Sequence, residues 1–344
     1  MLHMKRNPWL LLTACLFSFA MSRQAVAQET ERPKQIVLQN VPLDSIQLSD
    51  PFVYADRTTK TYYMTGTGGR MWKSKNLASW AGPYDVVDID TASWMGKNPQ
   101  IWAAEIHRYN NRYYYFATFT NAQTIIDTVE GNIVPRRATH ILVADRPDGP
   151  YRPVSASDYL PAGKATLDGT FWIDKDRKPY LVYCHEWLQN RNGTIEKIAL
   201  KPDMSGTQGE ARILFKASES PWSRENTADG SVMPNMVTDG PFLFRTTDGT
   251  LGMIWSSWIR DVYTQGVAYS QSGTLDGPWI QEPQPITPPD YGHGMLFRTF
   301  DGRLLMAVHS HKQEGTHHVI RRPHFFTAGN KGKRLTIGVE YRPR

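Results

Sequence analysis

Apolar and polar positions along the chain alternate in short runs, and the same unit returns five times. A polar residue opens a short apolar strand, a polar turn follows, and a second, aromatic-rich strand closes the unit. The copies are Asp50 with PFVY, ADRTTK and TYYMTGT; Glu105 with IHRY, NNR and YYYFATFT; Asp168 with GTFWI, DKDRK and PYLVYCHEW; Asp239 with GPFLF, RTTDGT and LGMIWSSW; and His293 with GMLF, RTFDG and RLLMAVHSH. β-Branched and aromatic runs around Asp, Asn and Gly turns predict a β-hairpin in each copy. A further element, ending in Gly-Pro-aromatic, follows three of them as SKNLASWAGPY, ADRPDGPYRPV and SQSGTLDGPWIQ, and predicts an outer strand. No run of helical period and length is present outside the amino-terminal segment. Four-stranded units repeated at about 60 residues predict an all-β, five-bladed β-propeller. Thr124 to Arg137 and Ala217 to Pro234 fall outside the repeat and are expected to be long loops on one face.

Length and composition agree with a single such domain. The 344 residues are 40% hydrophobic and 21% charged, and 12% are aromatic, which paired aromatic strands explain. Residues 1–27 stand apart: Lys5 and Arg6, an apolar run from Trp9 to Met21, then Ala25-Val26-Ala27 are the parts of a secretory signal peptide. The apolar run is too short to cross a bilayer as a helix. Residues 28–344 are therefore expected to be the exported propeller, in the periplasm or outside the cell. Lipid attachment at Cys15, after Leu12-Thr13-Ala14, is the weaker alternative because the apolar run continues past it. Three of the six net positive charges (Lys5, Arg6 and Arg23) lie in this segment, so the remainder, +3, gives no argument for nucleic acid. Beyond the leader only Cys184 remains, in an apolar strand, and it is expected to be a buried core residue.

In a propeller the first strand of each blade lines the central channel, so the opening residues Asp50, Glu105, Asp168, Asp239 and His293 are expected to meet at one mouth. Carboxyl groups crowded in one confined site push their pKa values apart, and such a pair can act as acid and base across a glycosidic bond.

Four motifs then carry a resemblance: Ser49-Asp50-Pro51-Phe52, Trp102-Ala103-Ala104-Glu105-Ile106-His107, Leu167-Asp168-Gly169-Thr170-Phe171 and Thr238-Asp239-Gly240-Pro241-Phe242. In order and spacing they resemble glycoside hydrolase family 43, five-bladed propellers acting mainly on arabinose- and xylose-containing polysaccharides. The resemblance spans essentially all of the chain after the leader. It implies an inverting mechanism with Asp50 as general base, Asp168 as the carboxylate that tunes and orients the acid, and Asp239 at the general acid's place. It implies for His293 a place beside a central calcium or its waters, although calcium prefers oxygen donors. The sequence departs from the family at Asp239, where a glutamate is usual. The carboxyl is then one carbon–carbon bond shorter, which leaves three outcomes: an advanced strand, replacement by a loop acid such as Glu219 or Glu225, or sugar binding without cleavage. Ala104 in place of the usual proline is a milder departure.

Trp102, Glu105 and Phe171 are the expected substrate contacts, with Trp187 and Trp222 as further candidates near loops. Trp72, Trp80, Trp255 and Trp279 occupy repeat positions and are expected in the core. His309 and His311 share a strand face, with His317 and His318 in a loop, and packed or solvated histidines are expected there rather than a metal cluster. The expected protein is a monomeric, exported α-L-arabinofuranosidase with a carbohydrate as its partner; a β-xylosidase, a galactofuranosidase or a non-catalytic carbohydrate-binding propeller are the alternatives.

Overall fold

A computed structural model describes residues 35–343 except 91, 226–234, 312 and 315–317. The expected leader with Cys15, and His317, lie outside the described residues, as does the side chain of His318. Gln35–Arg344 forms one compact unit.

All five predicted hairpins are present, each opening an antiparallel sheet in chain order. Blade 1 runs Phe52–Asp56, Thr61–Thr65, Arg70–Ser74 and Ser79–Asp85, and blade 2 runs Gln100–Tyr109, Arg112–Val129, Asn132–Ala144 and Arg152–Pro153. Blade 3 runs Thr166–Ile173, Pro179–His185, Thr194–Leu200 and Thr207–Lys216. Blade 4 runs Asp239–Arg245, Leu251–Ile259, Val262–Ser270 and Trp279–Gln281, and blade 5 runs Tyr291–Arg298, Leu304–Ser310, Pro323–Lys331 and Arg334–Glu340. Each innermost strand touches the innermost strand of the next blade, and the fifth touches the first, which closes the ring of a five-bladed propeller.

The core is five wedges between blades, and this explains why the second strands are almost continuously apolar. Successive side chains of a strand point to opposite faces. In blade 2, Tyr115 and Ala117 enter the wedge shared with Tyr63 and Met71 of blade 1, while Tyr114 and Phe116 enter the wedge shared with Leu181 and Tyr183 of blade 3. Phe215, Trp255 and Trp279 fill the wedge between blades 3 and 4. Trp72 and Trp80 lie in the wedge where blade 5 meets blade 1. These four tryptophans are buried, as their repeat positions imply.

Two expectations about the insertions change. Residues 124–137 are not a loop but the prolongation of the blade 2 hairpin, paired from Ile125↔Pro135 to Val129↔Asn132. Glu130 and Gly131 make the turn with φ of 49° and 84°, the two positive values that match the twist of a tight hairpin. The β-branched runs TIIDTV and NIVP favour strands, though their pairing shifts register between Asn121 and Ile125 and again between Ile125 and Asp127. Trp222, expected near substrate, is 4% exposed instead. Its ring packs 4.8 Å from that of Trp255, over Gly266, where a Cβ would strike it at 2.3 Å.

Blade 5 ends in its own strand Arg334–Glu340, and Leu38–Pro42 adds a fifth strand to the outside of blade 1, so among the described residues no strand is exchanged between first and last blades. Among the described residues no helix is long and apolar enough to cross a membrane.

Candidate active site

Four innermost strands lose register at the same place, between Trp102 and Glu105, Leu167 and Thr170, Asp239 and Phe242, and Gly292 and Met295. Such a bulge re-aims a side chain, here toward the propeller axis. The residue that makes the turn is left-handed each time: Ala103 (φ 45°), Asp168 (54°), Gly240 (50°) and His293 (47°), with Asp50 (57°) at the same place ahead of the blade 1 strand. The matching positions are therefore Asp50, Ala103, Asp168, Gly240 and His293. Glu105 lies two residues beyond its blade's turning point, and Asp239 one residue before.

A ring of hydrogen bonds holds these turns, each amide donating to a side chain of the preceding blade. Ala103 N–H donates to Thr67 Oγ1 (3.1 Å), Asp168 N–H to Thr118 Oγ1 (2.8 Å) and His293 N–H to Ser256 Oγ (2.7 Å). Asp50 N–H donates to His309 Nδ1 (3.1 Å), which joins blade 1 to blade 5. In blade 3 the rung that carries Thr118, Ser256 and His309 elsewhere carries Cys184, opposite Leu167. There the Asp168 carboxylate takes over and accepts from Gly240 N–H at 3.3 Å. Cys184 is buried, as expected.

Above the ring opens a cavity of about 940 Å³ whose walls include Asp50, Asp168, Asp239, His293, Trp102 and Trp187. At its floor one nitrogen organises three carboxyl groups. His293 Nδ1 lies 2.8 Å from Asp239 Oδ1, 3.1 Å from Asp50 Oδ1 and 4.0 Å from Asp168 Oδ2. Gly240 is required beside it: its φ is positive, and a Cβ there would meet the His293 ring at 2.7 Å. Thr67 donates its hydroxyl to Asp50 Oδ2, and the Tyr263 phenol donates to Asp239 Oδ2 at 2.6 Å.

This arrangement, three carboxyls and a histidine at the mouth of a five-bladed ring, coincides with the sequence comparison: the model of glycosyl hydrolases family 43 matches residues 40–327. The chain belongs to family 43. It is accordingly a glycoside hydrolase. An endo-arabinase from Bacteroides thetaiotaomicron VPI-5482 is 35% identical, with a TM-score of 0.72 over 84% of this chain and 96% of that one. An endo-1,4-beta-xylanase from the same organism (21% identical, TM-score 0.67, 90% and 99% covered) shares the fold. So does an alpha-L-arabinofuranosidase from Lactobacillus brevis (16%, 0.63, 87% and 95%). No match is found among curated protein sequences.

The electrostatics of this family 43 site follow from crowding. Burial works against a charge on His293, but Asp50, Asp239 and Asp168 together outweigh it and hold its pKa well above the ordinary histidine value. Asp168 is pushed well above the usual carboxylate range, first by burial and then by Asp239 and Asp50. Burial would also raise Asp239; the charge of His293, with hydrogen bonds from His293, Asp168 and Tyr263, reverses this and holds it low. His309 is lowered to about 4 by burial, so its neutral ring accepts from Asp50 N–H.

The expected residues divide. Asp50, Asp168, Asp239, His293, Trp102 and Trp187 share the cavity. Glu105 does not: its Oε2 accepts from His107 Nε2 at 2.6 Å, deeper in the channel, because Ala103 occupies the turning point. Phe171, three residues past the Asp168 turn, packs edge-on to His107 and Tyr109 and lies outside the cavity walls as well. Glu219 accepts from the Lys216 amide, 3.2 Å, and Glu225 is exposed; neither lines the cavity. His309 is buried and packed and His311 is half-buried, and both form part of its wall. Sequence reasoning missed Tyr263 and Glu186. Tyr263 is on a third strand, which the repeat pattern leaves unassigned, while Glu186 follows directly on the strand PYLVYCH and was within reach.

The donors at the floor do not suit the calcium that the family resemblance suggested. Calcium takes six to eight oxygens, whereas here an imidazole N–H points at carboxylates within hydrogen-bond distance. Asp168, Asp239 and His293 supply three donor atoms within 4.8 Å of one another, but one of the three is that nitrogen.

Proposed function

We propose that the protein hydrolyses α-L-arabinofuranosyl linkages in arabinose-containing polysaccharides, in a single displacement that inverts the anomeric carbon. The observation that carries the substrate class is the likeness to the endo-arabinase, 35% identical over nearly the whole of that chain. Asp50 is the general base: it lines the cavity, its backbone is anchored by His309, and its carboxylate is steadied by Thr67 and His293, which leaves lone pairs to take a proton from water. Asp168, Asp239 and His293 fix the field around it. Trp102 offers one ring face to the sugar, since Arg137 covers the other with its guanidinium 4.0 Å from the ring centroid.

Assaying linear arabinan beside aryl arabinofuranoside, xyloside and galactofuranoside tests the reading. Preference for arabinofuranosyl substrates, loss of activity on all of them in Asp50→Asn, and proton NMR detection of the inverted anomer first are expected. Preference for xylosides overturns the substrate class. Binding of arabino-oligosaccharide with no turnover on any substrate leaves only a carbohydrate-binding propeller. Residues 1–27 are proposed to act as an export leader; natural protein that begins at Gln28 supports this, and retention of Met1 opposes it.

A further inference from the structure

We propose that Glu186, not Asp239, delivers the proton to the departing sugar; this rests on the inverting reading above. In an inverting pair the two carboxyls stand roughly 6.5–9.5 Å apart so that a water fits on the far side of the sugar. Asp50 Oδ1 and Asp239 Oδ1 lie 3.1 and 2.8 Å from the same nitrogen, so these facing oxygens are no more than about 6 Å apart and share one donor, which draws the two carboxyls together instead of spacing them around a water. Both oxygens of Asp239 are also engaged, Oδ1 by His293 and Oδ2 by Tyr263. Asp168 belongs to the same cluster and is turned to the Gly240 amide.

Glu186 stands outside the cluster. It lines the same cavity from the end of the second strand of blade 3, and blade 2 lies between blade 3 and the base on blade 1. The side chain is 6% exposed. Its Oε1 accepts from Arg137, while Oε2 is buried with no partner among the described residues. A buried carboxylate oxygen left without a donor is costly when charged, and a proton on Oε2 removes that cost. Burial accordingly raises the Glu186 pKa in spite of the adjacent Arg137. The same guanidinium backs Trp102, so one group fixes both the sugar platform and the acid.

The step balances as follows. Water forms its bond to the anomeric carbon and gives a proton to Asp50. The glycosidic bond breaks with its electron pair on the leaving oxygen, and that oxygen takes the Oε2 proton. Asp50 is left neutral and Glu186 ionised opposite Arg137, and exchange with solvent restores both.

An aryl group with a low leaving-group pKa needs little protonation, so the test compares linear arabinan with dinitrophenyl arabinofuranoside. Glu186→Gln is expected to lose roughly 10²–10⁴-fold in kcat on arabinan, the usual worth of an acid, and to stay within about tenfold of wild type on the aryl substrate. Equal losses on both substrates, or full activity on arabinan, overturn the proposal, as does the same selective loss in Asp239→Asn instead. Should Glu186→Gln fail to fold, Arg137→Gln provides the second readout: removal of the guanidinium shifts the basic limb of the kcat profile to higher pH if Glu186 is the acid, and an unmoved limb counts against it. A wild type active only on xylosides defeats the substrate reading alone, and the same leaving-group comparison then runs on xylosides.

Discussion

Asp50 and Asp239 meet on a single atom: His293 Nδ1 lies 3.1 Å from an oxygen of the first and 2.8 Å from an oxygen of the second. The histidine is thus the counter-charge of the whole floor, and its raised pKa keeps it cationic. The stability it contributes is complete below about pH 6.5, the ordinary value, and is lost only as pH rises through the elevated one. Replacement by Gln leaves buried carboxylates uncompensated. A loss of about 3–5 kcal/mol is expected at pH 7, the cost of breaking a buried pair, with activity falling at least a hundredfold. Denaturant unfolding and initial rates measure both.

Tyr263→Phe tests the phenol alone. The ring is seated where Gly292 has no Cβ, stacked on His309 at 5.5 Å, and Phe preserves that packing. What goes is one hydrogen bond to a charged acceptor, worth about 1.5–3 kcal/mol. The expected outcome is a melting temperature lowered by several degrees, with kcat reduced more than KM is raised. An unchanged kcat shows that Asp239 needs no such tether.

His309 makes the enzyme sensitive to acid in a defined window. Its folded pKa, about 4, lies below the ordinary 6.5, so between those values the unfolded chain binds a proton that the folded one does not. Stability from this group therefore falls as pH drops from 6.5 to 4, by roughly 3 kcal/mol at most. Asp50, Asp239, His293 and Arg321 face the ring, and Asp168, with its raised pKa, acts in the opposite sense. The difference between wild type and His309→Asn isolates the effect, because the amide oxygen still accepts from Asp50 N–H. The variant is expected to lose less stability on acidification; parallel curves for the two proteins contradict it.

Trp102→Ala removes the sugar platform in front of Arg137. KM for arabino-oligosaccharides is expected to rise roughly tenfold, equivalent to about 1.4 kcal/mol of stacking and burial, with Trp102→Phe between. A fall in kcat at constant KM would place the ring outside the sugar's ground-state contacts.

The propeller was legible because hairpin chemistry is local. Strand, Asp-, Asn- or Gly-bearing turn and apolar strand follow one another in every blade, and even the second strands announce their two-sided burial. The site was legible only in part because the chain aims residues toward the axis by a backbone turn, not by residue type. Ala103, Gly240 and His293 have nothing in common except a left-handed φ, so Glu105 was matched to its blade by its charge and stood two residues out of place. Phe171 failed for the same reason, since the bulge at Asp168 decides which later side chains point into the cavity. Tyr263 comes from the third strand of blade 4, whose own sheet brings it to Asp239, while Glu186 follows the second strand of blade 3, and only assembly of the ring puts it in one cavity with Asp50.

Because among the described residues neither terminal blade borrows a strand from the other, the circle is fastened by side chains and a few amides. Tyr62 stacks on Phe300 at 4.1 Å and accepts its amide, Leu48 N–H reaches Arg321 O, and Asp50 N–H reaches His309. The last of these fasteners is the backbone of the proposed base. Slackening where blade 5 meets blade 1 acts directly on the amide of Asp50, so catalysis is expected to act as the fuse of this molecule and to fail while the blades are still whole.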